Sequence, residues 1–157
     1  MSAAGDDTPP LEPLAPSLAR GVGRALRDLG YVSLSEFTLR SRRRVDVIAL
    51  DRNGAIAIVE VKSSIEDFRA DHKWRDYMAY CDRFYFAVPT DFPRQVLPEE
   101  CGLWIADAYG ATLRREAPLL RLNPARRRAQ ILRFAQTAAQ RLSQNQDRPA
   151  ASVVLKR

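Results

Sequence analysis

The stretch Val45 to Ser64, VDVIALDRNGAIAIVEVKSS, constrains the fold more than any other part of the chain. It holds two apolar, β-branched runs around a short polar segment with Asn53-Gly54, the pattern of a β-hairpin. Turn length sets the register, and the register decides which side chains share a face. A three-residue Arg52-Asn53-Gly54 loop, with Gly54 in the left-handed conformation, pairs Asp51 with Ala55, Leu50 with Ile56, Ile48 with Ile58 and Asp46 with Glu60. A two-residue Asn53-Gly54 loop instead pairs Asp46 with Val61 and sends the two carboxylates to opposite faces. The three-residue loop is preferred, because Gly54 suits the left-handed position and the charges then fall in phase.

In that register Asp46 and Glu60 are directly opposed, with Cβ atoms about 4.5–5.5 Å apart. Lys62 lies on the same face. Two facing carboxylates repel, and a divalent cation between them compensates better than one ammonium. Asp46, Glu60 and the backbone carbonyl of Val61, completed by waters, form an oxygen shell suited to Mg²⁺ or Mn²⁺. Such a metal holds a phosphate oxygen and activates a bound water. Lys62 beside it can orient or deprotonate that water, or stabilise charge developing on phosphorus. The plainer reading is an ordinary salt bridge at two exposed strand ends, since E-x-K alone is a weak pattern.

Around the hairpin the chain reads as an α/β domain. Residues 1–15 are rich in proline and acid and are expected to be a disordered tail. A helix follows, with Ser17 as cap, Leu18, Val22, Ala25, Leu26 and Leu29 as apolar stripe, and Gly30 as stop. Arg20, Arg24 and Arg27 lie on its other faces. Tyr31 to Arg40 is a strand in which Glu36 falls in phase with Val32 and Leu34. Ser64 and Asp67 match a capping box, and Trp74, Tyr77, Met78 and Cys81 predict a helix whose firm part spans 70–81. Phe84–Val88 and Gly102–Ala106 are buried strands, and Ala111–Arg115 is an edge strand. The last helix has Asn123 as cap and Pro124 at its first position. Its packing stripe is Ile131, Ala135, Ala138 and Leu142, and Arg126, Gln130, Arg133, Thr137 and Arg141 form a basic ridge. The expectation is one domain over 16–142, with a mixed β-sheet flanked by helices and a flexible tail over 143–157.

Charge is unevenly spread. Residues 1–111 hold 14 Lys/Arg against 17 Asp/Glu, whereas residues 112–157 hold 11 against 2. A basic C-terminal third points to a polyanion partner or to a solvated arginine face. Arg42, Arg43 and Arg44 stand directly before Asp46 and are candidates for phosphate contact. Lys73 and Arg75 crowd the second helix with Asp67, Asp71 and Trp74 and are further candidates. Cys81, Cys101 and His72 offer no zinc spacing, and the cysteines read as buried thiols of a reducing compartment. The N-terminus lacks a secretory pattern and no apolar run reaches about 20 residues, so a cytoplasmic protein without a membrane partner is expected. A Gly-rich phosphate loop is absent, which argues against nucleotide hydrolysis.

Asp46, thirteen residues, then Glu60-Val61-Lys62, on an α-β-β-β-α-β frame, resembles the PD-(D/E)xK or restriction-endonuclease-like nuclease superfamily. More closely, VDVIALD…VEVKSS…DFRAD.KW..Y…CDRFYFAV resembles a bacterial family of MmcB-related DNA repair proteins, from about Leu18 to the last helix. The resemblance implies a restriction-endonuclease-like fold, DNA as partner and a metal-dependent nuclease that hydrolyses DNA phosphodiesters in repair. By position, Asp46 and Glu60 become metal ligands, Lys62 the catalytic lysine and Glu36 an additional acid. Lys73 and Tyr77 have the spacing of a Gln and Tyr pair in some relatives, with Lys in place of Gln. Valine, not proline, precedes Asp46. Arg126, Arg133 and Arg141 would grip DNA from the last helix. A homodimer is open as an assembly. The alternative to a nuclease is a catalytically inactive DNA-binding adaptor on the same fold, and RNA is open as a substrate because phosphate chemistry does not read the sugar.

Overall fold

The computed structural model describes residues 13–148. Six strands, β1 (Val32–Thr38), β2 (Arg44–Leu50), β3 (Ile56–Val61), β4 (Arg83–Val88), β5 (Gly102–Ala106) and β6 (Ala111–Arg115), make one sheet in sequential order. β1, β2 and β3 form an antiparallel meander. β3, β4 and β5 run parallel, and β6 returns antiparallel to β5. The sheet is mixed and flanked by helices, the α/β class expected. A parallel step cannot be made by a tight turn, and the β3–β4 crossover carries α2 (Ile65–Ala70) and α3 (Trp74–Tyr77). Every residue of central β3 is buried, which is why it reads as a continuous apolar run.

The sheet has a core on each face. α1 (Leu14–Asp28) lays Leu18, Val22 and Leu26 against Val47, Val59 and Trp104. The other face holds Ile48, Ile58, Phe84 and Phe86 under Trp74, with Phe134 brought by α4 (Pro124–Gln146). Gly21 lets α1 sit close, because a Cβ there would stand 1.9 Å from the carbonyl of Asp107. Among the described residues, no helix is long and apolar enough to cross a membrane.

Four details depart from expectation. α1 starts at Leu14, so Ser17 lies inside it and bonds the Leu14 carbonyl at 3.1 Å. α4 runs past 142 to Gln146, so helix takes up part of both expected tails, 1–15 and 143–157; their remaining parts, 1–12 and 149–157, lie outside the described residues. The helix expected over 70–81 is broken. α2 ends at Ala70, α3 is one turn, and Met78–Tyr80 is a 3₁₀ turn. Asp71 causes the break: its carboxylate accepts the Lys73 N–H at 2.8 Å and so offers the backbone an alternative to the helix. Trp74, Tyr77 and Cys81 are buried all the same, so the stripe reported burial correctly and helix length wrongly. α4 is rotated from the expected face: Gln130 and Phe134 are buried while Ala135 and Leu142 are exposed. Polar tethers set that rotation. Gln130 donates to the Tyr80 carbonyl at 3.2 Å, and Arg127 donates to Asp82 at 2.5 and 2.6 Å.

Candidate active site at the end of the hairpin

The β2–β3 turn has three residues, Arg52-Asn53-Gly54. Asp51 N–H donates to the Ala55 carbonyl at 3.0 Å, and the Asp51 carboxylate accepts the Asn53 and Ala55 N–H groups, each at 2.8 Å. Gly54 has φ +84°, a conformation that costs an L-residue strain. This turn sets Leu50 against Ile56, Ile48 against Ile58 and Val47 against Val59. The paired register ends at Val47 and Val59, and beyond it Asp46 and Glu60 meet through their side chains.

There the backbone ladder gives way to side chains. Asp46 N–H donates to Glu60 Oε1 at 2.9 Å, and Val61 N–H donates to Asp46 Oδ2 at 2.8 Å. Each carboxylate takes a backbone N–H from the opposite strand, standing in for the ladder bonds lost as the strands separate. The separation has a visible cause. Glu36, beside Asp46 on the neighbouring strand, has φ +49°. Leu34 and Phe37 pack on one face although three residues apart, as do Val45 and Ile48. Regular alternation would put each pair on opposite faces, so both strands change phase at this point.

Burial first, and the backbone N–H and Lys62 less, govern Asp46, whose carboxyl is raised above its usual range. Glu60 is raised further, by burial and then by the Asp46 carboxylate beside it. Lys62 is buried and its ammonium donates to Asp71 Oδ2 at 2.7 Å. Burial raises Asp71, but the Lys62 hydrogen bond and the backbone N–H groups of Lys73 and Trp74 outweigh it and hold the carboxyl below its ordinary value. Asp71 is thus a member of the cluster to which the sequence pattern assigned no role. Its one sequence signal is a helix-breaking acid inside an apolar stripe.

The remaining candidates are placed as follows. Glu36 is exposed and lines the same cleft as Asp46, but among the described residues no three His, Cys, Asp or Glu side chains gather closely enough to hold a metal. Val61 meets the Asp46 carboxylate through its N–H and also lines that cleft. Tyr77 is buried, its hydroxyl 3.5 Å from the Arg44 carbonyl; burial, then Glu60, push it up to about 12. Arg42 and Arg44 are exposed, and Arg43 is paired with Asp76. Lys73 is exposed; Arg75 lies 4.3 Å over the Trp74 ring and pairs with Glu100 at 3.6 Å. Arg126 and Arg133 line a separate groove of about 1110 Å³ with Arg40 and Tyr80, Arg126 stacking 5.0 Å over the Tyr80 ring. Arg141 donates to the Ser35 and Glu36 carbonyls at 2.6 and 2.8 Å, so it braces the β1 distortion. The basic ridge foreseen along α4 is therefore interrupted, by buried Gln130 and by the occupied Arg141.

Half-buried Asp46 and buried Glu60 are each bonded through one oxygen to a backbone N–H, which leaves each a second oxygen that could serve a divalent cation. The side chains supply two ligands, and a third protein ligand would have to come from backbone.

Fold and cluster define an α/β protein with a partly buried carboxylate pair and a buried lysine where an antiparallel hairpin joins a parallel sheet. The chain belongs to the MmcB-like family of DNA repair proteins, whose family model matches residues 12–149. A protein of unknown function from Silicibacter pomeroyi has a similar solved structure, with 46% identity and a TM-score of 0.84, covering 93% of this chain and 99% of that one. A repair endonuclease from Pyrococcus abyssi matches at 21% identity over 46% of this chain and 36% of its own, with a TM-score of 0.32, too slight a likeness to bear on function. No curated protein matches the chain.

Proposed function

We propose that this protein is a Mg²⁺- or Mn²⁺-dependent deoxyribonuclease that hydrolyses phosphodiester bonds during DNA repair. The observation that carries the reading is the reciprocal bonding of Asp46 and Glu60 across the hairpin, with Lys62 buried two residues beyond Glu60. Membership of a DNA repair family supports DNA as the substrate. Asp46 and Glu60 would hold the cation through their remaining oxygens, Val61 offering its backbone carbonyl. The cation, when bound, supplies Lewis acidity toward a phosphate oxygen and an activated water. Lys62 faces the same centre as a buried cationic donor, suited to stabilise charge gathering on phosphorus or to orient the attacking water. Asp71 holds that ammonium in place. Arg42 and Arg44, exposed beside the site, would grip the flanking phosphates.

One observation favours the non-catalytic reading: the cluster provides two ligating side chains and no third. Cleavage separates the two. Labelled single-stranded, duplex, flap and junction DNA are incubated with Mg²⁺ or Mn²⁺, with and without EDTA. The nuclease reading expects product with metal, none with EDTA, and a rate lowered by about 10²–10³ in Lys62→Ala. Intact DNA in every arm, with binding retained, would leave the adaptor.

A further inference from the structure

The arginines of α1 lie off its apolar stripe, and the fold gives them a common position. Arg20, Arg24 and Arg27 line a cleft of about 740 Å³ between α1 and the β1–β2 edge, which Asp46 and Val61 also line. The facing wall is Ser33, Ser35 and Glu36. Ala15, Ala19 and Gly23 recur every four residues along α1 and leave no bulky side chain in the way. The walls come together at Gly23, where a Cβ would stand 3.7 Å from Ser33 Oγ. All three arginines are exposed, and Arg24 is steadied by a 2.8 Å hydrogen bond to the Ala108 carbonyl.

Successive arginines of this row are about 6 Å and 4.5 Å apart along the helix axis. A row of guanidinium groups at that spacing complements a phosphodiester chain, because each can take a phosphate in a planar, two-pronged contact. The cleft has the size of a ligand pocket, with room for a few nucleotides in one strand. α1 and β1 come nearly into contact at Gly23 and Ser33, far closer than the roughly 12 Å that the major groove of a duplex alone spans, which favours a single strand. Two serines and Glu36 face the arginines, and Asp46 lines the same cleft. A strand lying against α1 is thereby led to the site.

We propose that this cleft takes a single strand of DNA, its phosphates against Arg20, Arg24 and Arg27 and its path leading to Asp46. The proposal rests on the nuclease reading for the role of Asp46, but its binding claim is independent of cleavage. The described lining includes no aromatic ring, so binding runs through phosphates, is indifferent to sequence and is sensitive to salt.

Fluorescence anisotropy in EDTA measures binding without turnover. The probes are a labelled fifteen-residue thymidine strand and a blunt duplex of equal length. The expected result is tighter binding of the single strand by wild type. Combined Arg20→Ala, Arg24→Ala and Arg27→Ala weakens it about tenfold or more and lowers the slope of log affinity against log salt by about 2, near 0.7 per phosphate contact. The matching three-lysine variant keeps the charge but not the two-pronged contact, so it binds between wild type and the three-alanine variant, which separates charge from folding. Preference for the duplex, or wild-type affinity in the three-alanine variant with an unaltered melting temperature, overturns the proposal. Failure of cleavage alone does not touch it, and cleavage by wild type with unchanged binding in the three-alanine variant sinks it while leaving the nuclease.

Discussion

Asp71 illustrates what a single residue contributes that spacing does not disclose. It lies among several charges between Asp67 and Arg75, and eight residues separate it from Lys62. Only the break between α2 and α3 carries its carboxylate back to the lysine at 2.7 Å. Asp71→Asn keeps the size and removes the charge that fixes the ammonium. The cleavage rate should fall about 10–100-fold, as for other groups that orient a reacting side chain, with divalent-metal affinity unchanged. Single-turnover cleavage beside a metal titration checks this, and an unaltered rate would remove Asp71 from the account. Glu60 and Lys62 were legible because charge inside an apolar strand is costly without a purpose. The strand phase of Glu36 was not legible, because a phase counted from Leu34 does not survive a residue in the left-handed region.

At the scale of elements the hairpin is the most legible part. Gly54 and the phases on either side choose the three-residue loop, and the loop chooses the register. Gly54→Ala should cost about 1–2 kcal/mol through the left-handed backbone alone. The space itself is tolerant: the nearest atom to an added Cβ is the Ile131 Cδ1 at 3.6 Å. Urea denaturation measures the loss; a variant as stable as wild type would show that the turn does not need glycine. The second helix and α4 were less legible for one physical reason. Periodicity reports which residues are covered, not what covers them. In α4 a salt bridge and an amide bond outweigh a weak aliphatic stripe. Around Asp71 a side chain competes with the helix for backbone N–H groups.

At the scale of the whole molecule, Asp82 ties the basic C-terminal helix to the sheet. Its carboxylate, almost fully buried, accepts the Ile56 N–H at 2.8 Å, the Leu122 N–H at 3.0 Å and both arms of Arg127. Arg127 also donates to the Gly54 carbonyl at 2.8 Å, so the same helix steadies the turn. Burial raises the Asp82 carboxyl, and the Arg127 hydrogen bond with the two N–H groups more than offsets that, leaving it below its ordinary value. A carboxyl lowered on folding stabilises the native state above its unfolded pKa, about 3.9, and that stability is lost as pH falls through the folded value. Asp82→Ala should therefore cost about 3–5 kcal/mol near neutral pH. The gap in melting temperature from wild type should narrow below about pH 4 as wild type loses the same interaction. A gap independent of pH would contradict the ionised contact. The lopsided charge noticed in the sequence thus has two parts: Arg127 and Arg141 hold the fold, while Arg126 and Arg133 remain on a groove. The claim on which all of this turns is that the hairpin register builds a metal centre. Calorimetric titration of Mn²⁺ into the full chain tests it most directly. One ion should bind per chain, with affinity lost in Asp46→Asn and in Glu60→Gln and kept in Lys62→Met. Absence of binding, or equal binding by the two carboxylate variants, would contradict it.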